Sequence, residues 1–280
     1  QLDHLYDLHH FDRTDTLARS RDRLRFLVPS MSDTSTPPGV PYAAPLYKEL
    51  ERQMREALAS GEWKPGEAIP AERRLAERFS VSIGTIRKAI DELVAANLLI
   101  RQQGRGTFVA SHNRDRLLFY FFHVVPESGA KVYPEVRLLS FARGRASERE
   151  AEHLRVAPGD AVIRVRNLLS LGGEPVIVDD LALPAARFPG LTEHQFAHRP
   201  STIYNLYQEA FGLSVVRTSE RLRATLADAD TGTLLRVARG APLLAIRRVA
   251  LTYNDEPVEL RISLVNTAHH EYWSDLGTPG

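Results

Sequence analysis

The chain has 280 residues, enough for two domains, and a hydrophobic content of 43% supplies a core for each. Its net charge of +1 does not by itself indicate a polyanionic partner, so any such affinity has to be local. The absence of cysteine excludes disulfides and thiolate metal sites and fits a reducing cytoplasm. No apolar run approaches the ~18 residues of a membrane span, and Asp3, Asp7, Asp12 and Asp15 break up any signal-type apolar segment at the front.

Residues 1–44 read as a flexible N-terminal extension, Ser/Thr/Pro-rich from Met31 onward, with 1–30 an upstream addition. From Pro45 to Gly61 the apolar residues Leu46, Leu50, Met54 and Leu58 recur at helical spacing. Trp63, in the loop that follows, reads as a hydrophobic plug. The stretch from Ile69 to Ala110 predicts helix, tight turn, helix and a two-stranded hairpin. In the first of these helices Leu75, Ala76 and Phe79 form the apolar stripe, with Pro70 in the first turn, where its missing N–H costs nothing. Ser82 is the predicted N-cap of the second, whose buried face is Ile86, Ala89, Ile90, Leu93 and Val94. Ser82, Gly84, Thr85, Arg87 and Lys88 fall on the other side, near the helix start, where a recognition helix meets the major groove. Strands over 98–102 and 107–110 flank a tip of Gln103, Gly104, Arg105 and Gly106. Together these make a winged helix-turn-helix. Between Arg73 and Arg105 there are seven basic and three acidic residues, an excess suited to phosphate contacts.

The segment from Pro45 to Ala110 resembles the DNA-binding domain of the GntR family of bacterial transcription regulators. The motifs that carry the resemblance are the Leu-Tyr opening of the first helix, Pro65-Gly66 followed by Pro70-Ala71-Glu72-Arg73, the run VSIGTIRKA and the wing QGRGTFV. The resemblance implies DNA contacts at Arg73, Ser82, Gly84, Thr85, Arg87, Lys88, Gln103, Gly104, Arg105 and Thr107. Ile83 and Gly84 depart from the bulkier or basic residues common in the family, which shifts expected base readout toward Thr85, Arg87 and Lys88.

Ser111–Arg116 is polar and reads as a linker. Beyond it, strands are predicted over 117–124, 135–143, 161–171, 174–183, 213–226, 242–253 and 257–267, and helices over 146–154, 202–211 and 227–236. Gly172-Gly173 and Asn254-Asp255-Glu256 join neighbouring strands as hairpins. Hairpins with segregated helices give an α+β, antiparallel-sheet domain over 117–275. This region resembles the UTRA domain of HutC-like regulators, on Ala-Pro-Gly-Asp at 157–160, GGEPVIVDDLALP, PSTIYNLYQEAFGL and DEPVELRIS. The resemblance implies a chorismate-lyase-like fold, a small-molecule effector and a homodimer. By carry-over the effector candidates are Asn167, Asp179 (with Asp180 beside it), Thr202 (with Ser201), Glu259 and Arg261. Asn167 and Leu169 stand where relatives often carry two anion-clamping arginines, and the common Y-R-G-D-R-Y ending is replaced by Val265–His270. Arg164 and Arg166 lie on the opposite strand face and replace the clamp only if the register slips.

The expected protein is an effector-responsive regulator that binds a double-stranded DNA operator, most simply as a repressor, without cofactor, metal or membrane association. Two other readings remain open at this stage. One is an enzyme on a lyase-like fold, against which stands the lack of a nucleophile–base set, metal-ligand set or Walker-type loop. The other is a DNA-binding dimer whose second domain senses nothing.

Overall fold

The computed structural model describes residues 45–112, 121–129 and 131–274. The extension over 1–44, most of the linker and the first part of the strand expected over 117–124 lie outside the described residues.

Three helices open the described chain: α1 (Leu46–Ala59), α2 (Glu72–Phe79) and α3 (Ile83–Ala95). Leu50, Met54 and Leu58 from α1, Leu75 from α2 and Ile86, Ile90 and Leu93 from α3 close on one core, with Trp63 plugging it from the intervening loop. Leu46 departs from the predicted stripe. It is the first residue after Pro45, before the helix has turned back onto the core, and it is 60% exposed. Pro70 also lies outside its expected first turn. The Ile69 N–H is bonded to the Thr107 carbonyl, which keeps the approach to α2 extended, and the helix starts at Glu72 with Ala71 as its cap. Ser82 caps α3 through its side chain, accepting from the Thr85 N–H at 3.1 Å. Strands β1 (Leu99–Gln102) and β2 (Gly106–Val109) pair antiparallel around the turn that holds Gly104 and Gly106, both at positive φ.

The second region is built on a six-stranded antiparallel sheet. Its strands are β4 (Glu135–Arg145), β5 (Ala161–Leu171), β6 (Glu174–Pro184), β7 (Arg217–Leu226), β8 (Pro242–Leu251) and β9 (Pro257–Val265), in the order β4-β5-β6-β9-β8-β7. Gly172 and Gly173 both take positive φ between β5 and β6, the conformation a two-residue turn needs to match strand twist. A separate pair joins β3 (Val124–Pro126) to β10 (His270–Tyr272). The helices are α4 (Glu148–Leu154), the short α5 (Glu193–Ala197), α6 (Ile203–Phe211) and α7 (Ala229–Leu235). Both α5 and β10 are too short for a periodicity reading. The strand expected from Leu213 begins only at Arg217, because Gly212 ends α6 in the left-handed conformation and the Leu213 N–H still bonds back to Tyr207.

Alternation along the strands divides the sheet into two faces. One carries Ile163, Val165, Leu181 and Leu183 under α6 and its neighbours. The other carries Val162, Ala182 and Leu260 under α4. Val216 and Tyr253, at the start of β7 and beyond the end of β8, pack against the three-helix core. No described helix is long and apolar enough to cross a membrane.

Asp180 sits on the α4 face, near Arg166 at 3.4 Å. Burial pushes its carboxyl up to about 6, and Arg166 only partly offsets this. The unfolded chain binds that proton only below ~3.9, so its contribution to stability is complete below that value and is lost as pH rises through about 6. Asp180→Asn should therefore flatten the fall in stability between about pH 4 and 6 and raise neutral-pH stability by on the order of 2 kcal/mol. Urea melts at pH 4.5 and 7.5 check this, and an unchanged pH slope would contradict it.

Candidate functional site

The exposed side of α3 and the wing bring most of the predicted DNA-contact residues together. Thr85 Oγ1 lies 2.9 Å from Ser82 Oγ. Arg87 Nη2 donates to Glu72 at 2.9 Å, and Lys88 Nζ sits 3.9 Å from the Tyr47 ring centroid. Arg73, 85% exposed in its side chain, lies 3.3 Å from Glu77, one turn along α2. Arg105 projects over Phe108 at the wing tip, and Gln103, Gly104 and Thr107 complete that loop. The ion pairs of Arg73 and Arg87 lie at the surface, and surface pairs are worth about 0–1 kcal/mol, so a phosphate or base edge can displace them at little cost. Gly84 is open to solvent, with only Ser82 Oγ within 4 Å of where a Cβ would stand.

A cavity of about 220 Å³ opens between the sheet and the start of α6. Four of the five effector candidates line it: Asn167 from β5, Asp179 from β6, Thr202 at the cap of α6 and Arg261 from β9. Thr202 Oγ1 accepts from the Asn205 N–H at 3.1 Å, so its cap role and its place at the cavity coexist. Glu259 does not reach the wall. It is 0% exposed beneath it, and both its oxygens are already occupied. Arg261 donates to them through Nε at 2.9 Å and Nη2 at 3.1 Å. Tyr207 donates at 2.7 Å and Tyr204 at 3.3 Å. Burial, then Glu259, pushes the Tyr204 hydroxyl up to about 12 and lifts Tyr207 well above its ordinary value, so both phenols stay protonated donors. Arg261 also reaches Asp179 Oδ2 at 3.1 Å. Burial alone would pull its guanidinium down, but Glu259 and Asp179 hold it well above its ordinary value.

The register has not slipped to rebuild an arginine clamp. Arg164 is bonded to Glu150 of α4 at 2.7 and 3.0 Å, and Arg166 is ion-paired with Asp180 and Asp230, all on the far face. Asp180, expected beside Asp179 in the site, faces away with them. Two charged residues of the cavity escaped the sequence reading: Arg199, just before the start of α6, and Arg248 on β8. Arg248 is directly opposite Arg261 in the sheet and is paired with Glu220, which also accepts from the Tyr272 hydroxyl. Only the cross-strand register reveals that row. Arg199 is placed by the loop between α5 and α6, and its position before Pro200-Ser201-Thr202 was the available signal.

The chain entering this region is also fixed to α6. The His112 N–H donates to Gln208 Oε1 at 2.9 Å, Asn205 Nδ2 donates to the His112 carbonyl at 3.1 Å, and His112 is 5% exposed. The second residue of the polar linker is thus buried against the helix whose first turn lines the cavity.

Removing Glu259 strands a buried arginine and two phenols. Glu259→Gln should cost about 3–5 kcal/mol in urea unfolding, and adding Arg261→Met should recover part of the loss, since replacing both partners removes the unpaired charge. A single variant within 0.5 kcal/mol of the parent on the same ~0–1 kcal/mol scale as a surface pair would contradict this account.

Residues 46–109 match the bacterial regulatory proteins of the gntR family, and residues 130–271 match the UTRA domain. The Escherichia coli K12 protein named "Probable fructoselysine utilization operon transcriptional repressor" is 31% identical over 217 residues, covering 77% of this chain and 88% of that protein. The histidine utilization repressor of Pseudomonas putida is 29% identical over 206 residues, covering 73% and 82%. Among solved structures, the ligand-binding domain of a predicted GntR-family regulator from Bordetella bronchiseptica superposes with a TM-score of 0.54 at 35% identity, over 57% of this chain and 99% of that one. With both regions matched, the chain belongs to the GntR family of bacterial regulatory proteins, in its HutC-like, UTRA-containing branch, and is a DNA-binding transcriptional repressor with an effector-binding domain, not an enzyme.

Proposed function

We propose that this repressor works in the cytoplasm as a homodimer. Its 45–110 region reads a pseudo-palindromic operator, and its 117–275 region releases that operator when a small molecule fills the cavity. Each protomer lays α3 into a major groove, with half-sites about one helical turn apart. Arg87, Thr85 and Lys88 read or position, Arg73 and Ser82 hold phosphates, and Arg105 reaches from the wing. The observation that carries the release step is that one helix does two jobs. The first turn of α6 lines the cavity, and two turns of the same helix grip the chain leaving the wing through Asn205 and Gln208. A ligand that resets α6 thereby resets the strap to the DNA-binding region. A coupling of about 1–3 kcal/mol, or roughly 5–150-fold in operator affinity, is an ordinary strength for such a device. The relatives named for fructoselysine and histidine utilization support a role over genes for using a small nutrient.

Arg87→Ala should weaken specific operator binding by about 1–3 kcal/mol and relax the preference at one base pair per half-site. Lys88→Ala should weaken all sequences evenly and reduce the salt slope by about one. Fluorescence anisotropy with base-substituted operators at several salt concentrations separates the two. Parent-like affinity for Arg87→Ala would remove it from the reading face.

A further inference from the structure

Three arginines and three carboxylates meet around the cavity, and their pairing is uneven. Arg261 is held by Asp179 and Glu259, and Arg248 by Glu220. Arg199 pairs with no carboxylate among the described residues. Its Nη1 donates to the Phe196 carbonyl, its guanidinium lies 4.8 Å from the Phe196 ring centroid, and its Nε is buried without a partner. Burial pulls its proton affinity down, and the neighbouring Arg261 adds to that. An anion is what this side chain lacks. It stands beside Ser201, Thr202 and the first-turn N–H groups of α6, which favour the same sign of charge.

On the sheet strands that line the cavity the deficiency is the opposite one. Asn167 and Asp179 are partners in the β5–β6 register, 4% and 2% exposed, and each has an Oδ1 buried with no hydrogen-bond partner. An unmatched acceptor at that depth costs ~1–3 kcal/mol, which a ligand donor would recover. The charges sum to zero while their pairing differs between elements, with one unpaired cation before α6 and bare acceptors on β5 and β6. Asn167 and Leu169 add no positive charge, so a doubly charged phosphate would meet one unpaired arginine only. The volume of about 220 Å³ corresponds to roughly seven waters at ~30 Å³ each. Phe122, Leu169 and Ile203 add apolar wall to the same cavity.

We propose, resting on the effector-release reading above, that the cavity takes a small zwitterion of amino-acid type, its carboxylate on Arg199 at the start of α6 and its ammonium on Asp179 and Asn167. The test uses the full chain, calorimetry and thermal shift. The probes are the common L-amino acids, their decarboxylated amines, their deaminated acids, and the sugar phosphates glucose 6-phosphate and glucosamine 6-phosphate. At least one amino acid should bind and raise the melting temperature, and removing either charged group should weaken it roughly tenfold or more. Arg199→Gln should weaken the amino acid by a similar factor and leave the matching amine unchanged, while Asp180→Asn, on the far face, should alter neither. Asp179→Asn should weaken the amino acid and leave the matching deaminated acid unchanged; if that variant does not fold, Arg199→Gln still carries the test. Sugar phosphates that bind where no amino acid does, or amino-acid binding indifferent to Arg199→Gln, would overturn the zwitterion assignment and leave the effector reading standing. No binding by any probe would overturn both.

Discussion

Glu259 is the constraint on which the effector-binding region depends. A carboxylate at zero exposure is tolerated only with its lone pairs filled, and here four donors fill them: two from Arg261 and one each from Tyr204 and Tyr207. The two phenols lie three residues apart on one face of α6, so a single buried charge sets the helix on the sheet. Once α6 is placed, Thr202 and Ser201 come to the cavity mouth, and Asn205 and Gln208 come to His112. Cavity and strap are two consequences of one anchored helix.

The sheet beneath that helix carries an arrangement that would be unfavourable in isolation. Arg248 and Arg261 face each other on adjacent strands, and like charges directly opposite repel. Glu220 on one flank and Asp179 with Glu259 on the other resolve this, leaving two neighbouring arginines bracketed by carboxylates across β7, β8, β9 and β6. Burial of that row fixes geometry more than it adds stability. The proposed DNA-contact face works differently. The ion pairs of Arg87 and Arg73 lie at the surface and are weak, so either arginine can exchange its carboxylate for another anion.

Much of this was legible in the residues. Helical spacing located α3 and its buried face, Ser82 announced the cap, and Gly172-Gly173 marked the β5–β6 hairpin, in which a register shift between Leu169 and Ser170 then sets Asn167 opposite Asp179. The alternation rule also placed Arg164 and Arg166 on the far face, where they are. Local pattern could not show non-local pairing. Glu259 looked like a ligand contact because its role depends on two tyrosines some fifty residues earlier. Arg248 reads as an ordinary strand residue until its register with Arg261 and Glu220 is known. His112 sits in a polar stretch whose composition suggests exposure, and its burial follows from side chains on α6 that no linker pattern encodes. Leu46 and Pro70 were misplaced for a simpler reason: helix ends are set by the hydrogen bonds of the flanking chain, not by periodicity.

The central claim is that α6 links the cavity to the DNA-binding region through His112. Its most direct test is the operator affinity of the full chain with and without saturating cavity ligand, for the parent and for the Asn205→Ala, Gln208→Ala double variant. The account predicts a ligand-induced loss of roughly 5–150-fold in the parent, and near-complete loss of that dependence in the variant while ligand and operator each still bind. Equal ligand dependence in the two proteins would show that the signal takes another route and would contradict the account.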